Sequence, residues 1–193
     1  MSSAFERVEP ADIVRFVGEN PLAWIVPSRS PADAVLMPLL MEVGADGAPD
    51  SLLGHLPRKA PVCEALAGSP RAHFLFLGPH AYIPPGWISK PGWAPTWNFV
   101  SLKVAGLLEL DESLTDFAVT RLVEHMEGND AGAWTVDEMG DRFHMLTKGI
   151  IGFRARIDTL VPRFKVGQDE TVQSANEIRH GLSDHPLARW MDH

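Results

Sequence analysis

Cysteine is nearly absent. Cys63 is the only one in 193 residues, so no intramolecular disulfide can form, and a cysteine-rich metal cluster is excluded. In APVCEALAG, Cys63 reads as a buried helical thiol rather than a nucleophile. Long apolar runs are missing too, and none approaches the roughly 18 residues of a membrane-spanning helix. Positive charge is scarce: 17 Lys and Arg face 25 Asp and Glu, a net charge of −8. This disfavours broad attraction to nucleic acid, although Arg154, Arg156, Arg163 and Lys165 form a local basic run. No helix-turn-helix or zinc-finger pattern is present. Also lacking are G-x-G-x-x-G and the Walker sequence, which argues against a dinucleotide fold or a P-loop hydrolase. No H-E-x-x-H or G-x-S-x-G occurs either, so zinc proteolysis and serine hydrolysis have no support. The opening MSSAFERVEPAD has neither the basic start nor the apolar core of a secretion signal. The expectation is a cytoplasmic protein without membrane contact.

What is present is ordinary globular composition, 45% hydrophobic and 22% charged. The length suits one domain over 1–193, ending in a helical tail at about 169–193. The organising stretch is LGPHAYIPPGWISKPGWAPTWNFVSLKVAGLLEL, 77–110. It carries Trp87, Trp93, Trp97 and the only tyrosine, Tyr82, spaced by Pro79, Pro84, Pro85, Pro91 and Pro95. Prolines pre-set φ and narrow the unfolded ensemble, so these rings are held. Two readings stand: a loop lining a pocket for a flat ligand, or a loop capping a barrel with its own aromatics. Trp97 opens the following strand and is expected in the core. Trp87 is expected as a ligand wall or interface residue.

Around this stretch the pattern predicts helix at 11–18, where Ile13, Phe16 and Val17 share a face. Strands are predicted at 22–26, 34–43 and 51–55, the last two joined through GADGAPD. Helical turns at 61–66 and a strand at 72–77 follow. The strand from Thr96 is long, with a bulge or bend expected at Gly106. Helix is predicted at 111–126. Thr135 and Glu138 form a capping box for another, reaching Leu146. Alternation at 150–160 puts Ile151, Phe153, Ala155 and Ile157 on one face, Arg154, Arg156 and Asp158 on the other. The tail is helical at 171–182, and the apolar Leu187, Trp190 and Met191 are expected to dock on their own domain or on a partner. Six or seven strands with short turns predict a mainly β fold with external helices, an antiparallel barrel or sheet.

Catalytic candidates are few. His55 ends a strand and His80 sits in the aromatic stretch; either can be a turn-bonded ring or an acid–base group. Neither has a nucleophile beside it. Glu138 and Asp141 read as charges at a helix start.

GPHAYIPPGW, then Lys90, then PTWNF resemble the PaiB-like family, the FMN-binding negative transcriptional regulators. Three further stretches agree in order: AVLMPLL at 34–40, LLGHLPRKAP at 52–61 and GIIGFRARIDTLVPRFKVGQ at 149–168. The resemblance spans most of the chain and implies a split β-barrel of the flavin-binding type, a homodimer with FMN at the subunit interface. The residues it marks for the cofactor are His55, Arg58, Lys59, His80, Tyr82, Trp87, Lys90, Thr96, Trp97, Asn98, Lys165 and Gln168. Flavin needs aromatic or aliphatic walls, and its phosphate needs Arg, Lys, Thr or backbone N–H groups.

The chain departs from the family pattern at Val35-Leu36, where Thr-His is usual. It departs again at Ala60, where Asn is usual, and at Gly167 and Asp169. Each change removes a polar contact worth roughly 0.5–1.5 kcal/mol, and Asp169 adds negative charge. The expectation is that FMN binds, more weakly than in relatives with the full pattern, with Arg58 and Lys165 first in line for the phosphate. The function implied is that of an FMN-binding regulator. A flavin-dependent oxidoreductase, or a dimeric interaction protein that has lost flavin, are the alternatives. DNA as a partner stays open, and no catalytic or metal-binding residue is assigned.

Overall fold

The computed structural model describes residues 4–128 and 130–191. Six strands form a closed antiparallel barrel. They are β1 (Leu22–Pro27), β2 (Val35–Val43), β3 (Pro49–Pro57), β4 (Arg71–Ile83), β5 (Thr96–Leu110) and β6 (Ile150–Lys165). Their order around the barrel is β1-β2-β3-β6-β5-β4. The described helices are α1 (Pro10–Glu19), α2 (Pro61–Gly68), α3 (Thr115–Glu127), α4 (Asp141–Thr147) and α5 (Val172–Leu182), with short 3-10 turns between elements. The mainly β fold with external helices is therefore observed, with six strands.

The chain divides into two compact units. The larger takes Pro10–Phe76 and Lys103–Leu160; the smaller takes Met1–Glu9, Leu77–Leu102 and Val161–His193. In the larger unit, alternation fixes the core. Ala23 and Ile25 of β1, Leu52 and Leu56 of β3, Phe74 and Phe76 of β4, and Phe153 and Ala155 of β6 are buried. Burial of each large side chain contributes roughly 1.5–3 kcal/mol. Helix α1 buries Ile13, Phe16 and Val17, and Phe16 meets Phe76 edge-on with ring centroids 6.5 Å apart. β3 pairs with β6 in a register that sets Gly54 opposite Phe153 and Ser51 opposite Arg156. Gly106 of β5 marks a close backbone approach. A Cβ there would sit 2.2 Å from the Arg156 carbonyl oxygen, so any side chain would drive the strands apart.

Several boundaries differ from the sequence reading. β4 continues through Gly78–Ile83, so a third of the expected aromatic loop is strand. Its rings find cross-strand partners on β5, which local pattern cannot reveal. β6 likewise runs on to Lys165. The Thr135–Glu138 capping box exists, but it opens only a 3-10 turn, Val136–Met139. Gly140, at φ 53°, breaks the chain there before α4.

In the smaller unit, Thr171 caps α5 by accepting a hydrogen bond from the Ser174 backbone N–H. Pro186–Trp190 then folds back as a 3-10 turn in which Leu187 and Trp190 are buried. Trp190 packs edge-on against Phe164 at 5.4 Å. The tail therefore docks on its own unit and presents neither side chain as free apolar surface.

Candidate functional site

The smaller unit brings His80, Tyr82 and Trp97 together. His80 and Tyr82 lie two apart on β4, hence on one side of it, and both meet Trp97 at the start of β5. The Tyr82 and Trp97 rings stand edge to face at 5.8 Å; His80 and Trp97 are tilted by 34° at 6.3 Å. Trp97 is 54% exposed and Tyr82 47%. Trp97 thus faces outward, not into the core as its strand-opening position suggested. Alternation gives the reason: its neighbour Asn98 takes the inward side and is 1% exposed.

A cation stands at the same strand start. Lys165 of β6 donates to the Thr96 hydroxyl, which leaves two ammonium protons for another acceptor. Asn98 Nδ2 is buried without a hydrogen-bond partner among the described residues, a cost of roughly 1–3 kcal/mol unless a ligand or water accepts from it. Gln168 is turned onto its own loop. Its Oε1 accepts from the Val166 N–H at 2.8 Å and its Nε2 donates to the Phe164 carbonyl.

The loop between β4 and β5 is latched to α5 and the turn before it. The Ser89 N–H and hydroxyl both donate to Glu177, the backbone bond at 2.9 Å. Gln173 Nε2 donates to Ser89 Oγ at 2.8 Å, and Trp93 Nε1 donates to both carboxylate oxygens of Glu170 at 3.1 Å. The Ser89 bonds hold the Glu177 carboxyl below its usual range. Trp87 lies flat against Gly181, where a Cβ would come within 2.3 Å of the indole. Trp87 therefore has a packing partner on α5, and Lys90 is an exposed residue of the same loop. Sequence reasoning missed Glu170, Gln173 and Glu177. Their partners are 77 to 88 residues away, and no local signal marks them.

His55, Arg58 and Lys59 belong to the larger unit. Arg58 is fully engaged: Nη1 and Nη2 donate to the two oxygens of Glu112 at 2.7 Å, Nη2 also to the Ile150 carbonyl, and Nε to the Lys148 carbonyl. A guanidinium so committed braces the β3–α2 turn against β6 and has little left for a phosphate. His55 has a buried Nδ1 with no partner among the described residues, and burial pushes its pKa down. Lys59 follows Arg58 in the same turn and is exposed. The basic run around β6 is also dispersed. Arg154 forms a bidentate pair with Glu42 at 2.6 and 2.8 Å, and Arg163 lies 3.9 Å from Glu6 and over the Phe5 ring. Cys63 is buried, as expected, with its thiol on the Pro57 carbonyl.

Within the smaller unit the residues fit a flavin mononucleotide. The half-exposed rings offer a wall for an isoalloxazine, and the Lys165 ammonium offers charge to a phosphate, whereas the Asn98 donor lies on the inner side of β5, away from that wall. Among the described residues no group of His, Cys, Asp and Glu could hold a metal ion. Among the described residues no helix is long and apolar enough to cross a membrane.

Comparison with known proteins agrees with this chemistry. Residues 1–159 match the family described as "Putative FMN-binding domain". The chain is 28% identical over 99 residues to the protease synthase and sporulation protein PAI 2 of Bacillus subtilis, covering 49% of this chain and 46% of that protein. The match thus spans about half the length of this relative. An uncharacterised protein of Aspergillus fumigatus is 24% identical over 207 residues, covering 80% of this chain and 79% of its own. Among solved structures, the FAD and heme binding protein from Mycobacterium smegmatis superposes with a TM-score of 0.59 at 15% identity, over 90% of this chain and 78% of that one. Since the family match takes in most of the chain, including β1 to β5 and the bulk of β6, this protein belongs to the FMN-binding domain family, and FMN is its cofactor.

Proposed function

We propose that the chain holds FMN on the His80, Tyr82 and Trp97 face, with Lys165 toward the phosphate, and acts as a homodimeric flavin-responsive regulator of the PaiB type. The observation that carries this reading is the half-exposed aromatic wall beside a hydroxyl-held lysine. Bound FMN supplies a ring that can be reduced and reoxidised. The chain's own part is to bind and orient it: the Tyr82 and Trp97 rings against its face, His80 at its edge, and an ammonium for its phosphate. Val35, Leu36, Ala60 and Asp169 replace polar family positions, so affinity is expected to be lower than in relatives that keep them.

A second copy is the proposed partner. Trp24 of β1 stands directly opposite Leu36 of β2 and Leu75 of β4, and all three are exposed. A contiguous apolar face of this kind favours burial against another subunit. Light scattering at micromolar concentration should give twice 21.2 kDa; a species of monomer mass with and without FMN would refute the dimer. The cytoplasm is the compartment we propose, consistent with the single buried thiol.

The deciding experiment for the cofactor is flavin fluorescence titration of the purified protein with FMN and riboflavin. Quenching by neither at millimolar flavin would remove the reading. Salt-sensitive binding to its own promoter DNA would support the regulator. A second reading, a flavin-dependent oxidoreductase, is favoured by the exposure of the aromatic wall, which leaves room for a small reactant. Sustained NAD(P)H oxidation by FMN-loaded protein, without DNA binding, would select it.

A further inference from the structure

We infer that His80 is the residue that reads the lone N–H of the flavin ring. The inference rests on the proposed placement of FMN against His80, Tyr82 and Trp97. His80 Nδ1 lies 3.1 Å from the Gly78 carbonyl oxygen. A carbonyl only accepts, so Nδ1 carries the proton in the neutral imidazole. Nε2 is then left as a lone-pair acceptor, with no partner among the described residues, on a side chain that is exposed beside Trp97.

The chemistry of the ring narrows what this nitrogen can meet. Oxidised isoalloxazine has a single N–H, at N3; its carbonyl oxygens and its other unsubstituted ring nitrogens only accept. The Lys165 ammonium only donates. In this group, neutral His80 has a side-chain nitrogen restricted to accepting, which suits the one donor on the ring, while the Lys165 ammonium suits the phosphate; the Tyr82 hydroxyl, which both donates and accepts, is the competing acceptor that the His80 variants distinguish. Reading a ligand N–H by a fixed acceptor gives selectivity that aromatic stacking cannot supply, because a ring analogue lacking the N–H leaves the acceptor unpaired.

The test uses lumiflavin and N3-methyl-lumiflavin, ring probes without phosphate, titrated by fluorescence into the intact protein. Lumiflavin should bind roughly tenfold more tightly than its methyl derivative, the value of one hydrogen bond. His80→Ala should shrink that preference to about threefold or less. His80→Gln, whose side-chain carbonyl can still accept, should restore part of it. An equal preference in wild type and His80→Ala would overturn the inference while leaving the flavin reading intact. Long-range nitrogen–proton NMR of the flavin-free protein gives a readout that needs no variant: a proton on Nε2 rather than Nδ1 in the neutral ring would also overturn it. Failure of lumiflavin to bind at millimolar concentration would overturn the inference, and failure of FMN and riboflavin as well would overturn the flavin reading.

Discussion

Arg58 and Glu112 are joined by two hydrogen bonds of 2.7 Å, one to each carboxylate oxygen, across 54 residues of sequence. The pair, with the Ile150 and Lys148 carbonyls on the same guanidinium, makes Arg58 a brace. Arg58→Ala is expected to lower Tm and to leave the ratio of FMN to riboflavin affinity unchanged. Thermal melts and paired titrations check this. A selective loss of FMN would return Arg58 to the phosphate.

We propose Lys165 for the phosphate. Lys165→Gln should weaken FMN roughly tenfold while riboflavin changes little, since the two ligands differ only by the phosphate. Thr96→Val should give a smaller loss of the same kind, because it removes only the hydroxyl that holds the ammonium. Equal losses for both flavins would indicate that Lys165 serves the ring or the fold.

Trp97 does not take the core position that sequence suggested: it is more than half exposed, while Trp87, 36% exposed, packs on α5 at Gly181. Trp87→Ala should cost about 2 kcal/mol of stability, below the 3–5 of a fully buried aromatic. Trp97→Ala should cost about 1 kcal/mol or less and mainly reduce flavin binding. Gly181→Ala should displace the indole and cost about 1–3 kcal/mol by overpacking. Denaturant melts followed by tryptophan emission distinguish these outcomes.

Acid should weaken the barrel through Glu42. The hydrogen bond from Arg154 is the main cause of its lowered pKa; burial opposes it and the Ser51 hydroxyl adds to it. A carboxyl with a depressed folded-state pKa stabilises the protein above the unfolded value of 4.5, and that stability is lost as pH falls through the folded value. Glu42→Gln should therefore lower Tm at pH 7 and lose less than wild type between neutral pH and about pH 3. Parallel melts over that range would show the two curves converging; parallel curves would contradict the role of Glu42.

The sequence by itself determined where most strands and helices begin. Alternation in β6 and the helical face of Ile13, Phe16 and Val17 are local properties, set by side-chain geometry two to four residues apart. It also determined the family, because GPHAY and PTWNF are long and specific. Tertiary structure decided what the marked residues do. Alternation alone says that Trp97 and Asn98 face opposite ways, but not which way is inside; closure of the barrel assigned the core to Asn98 and solvent to Trp97. Over Gly78–Ile83 the strand carries His80 and Tyr82 into contact with Trp97 across the sheet. The commitment of Arg58 to Glu112, of Ser89 to Glu177 and of Trp93 to Glu170 depends on partners 54 to 88 residues apart. Such pairings are set by the path of the whole chain, and no short window of sequence encodes them.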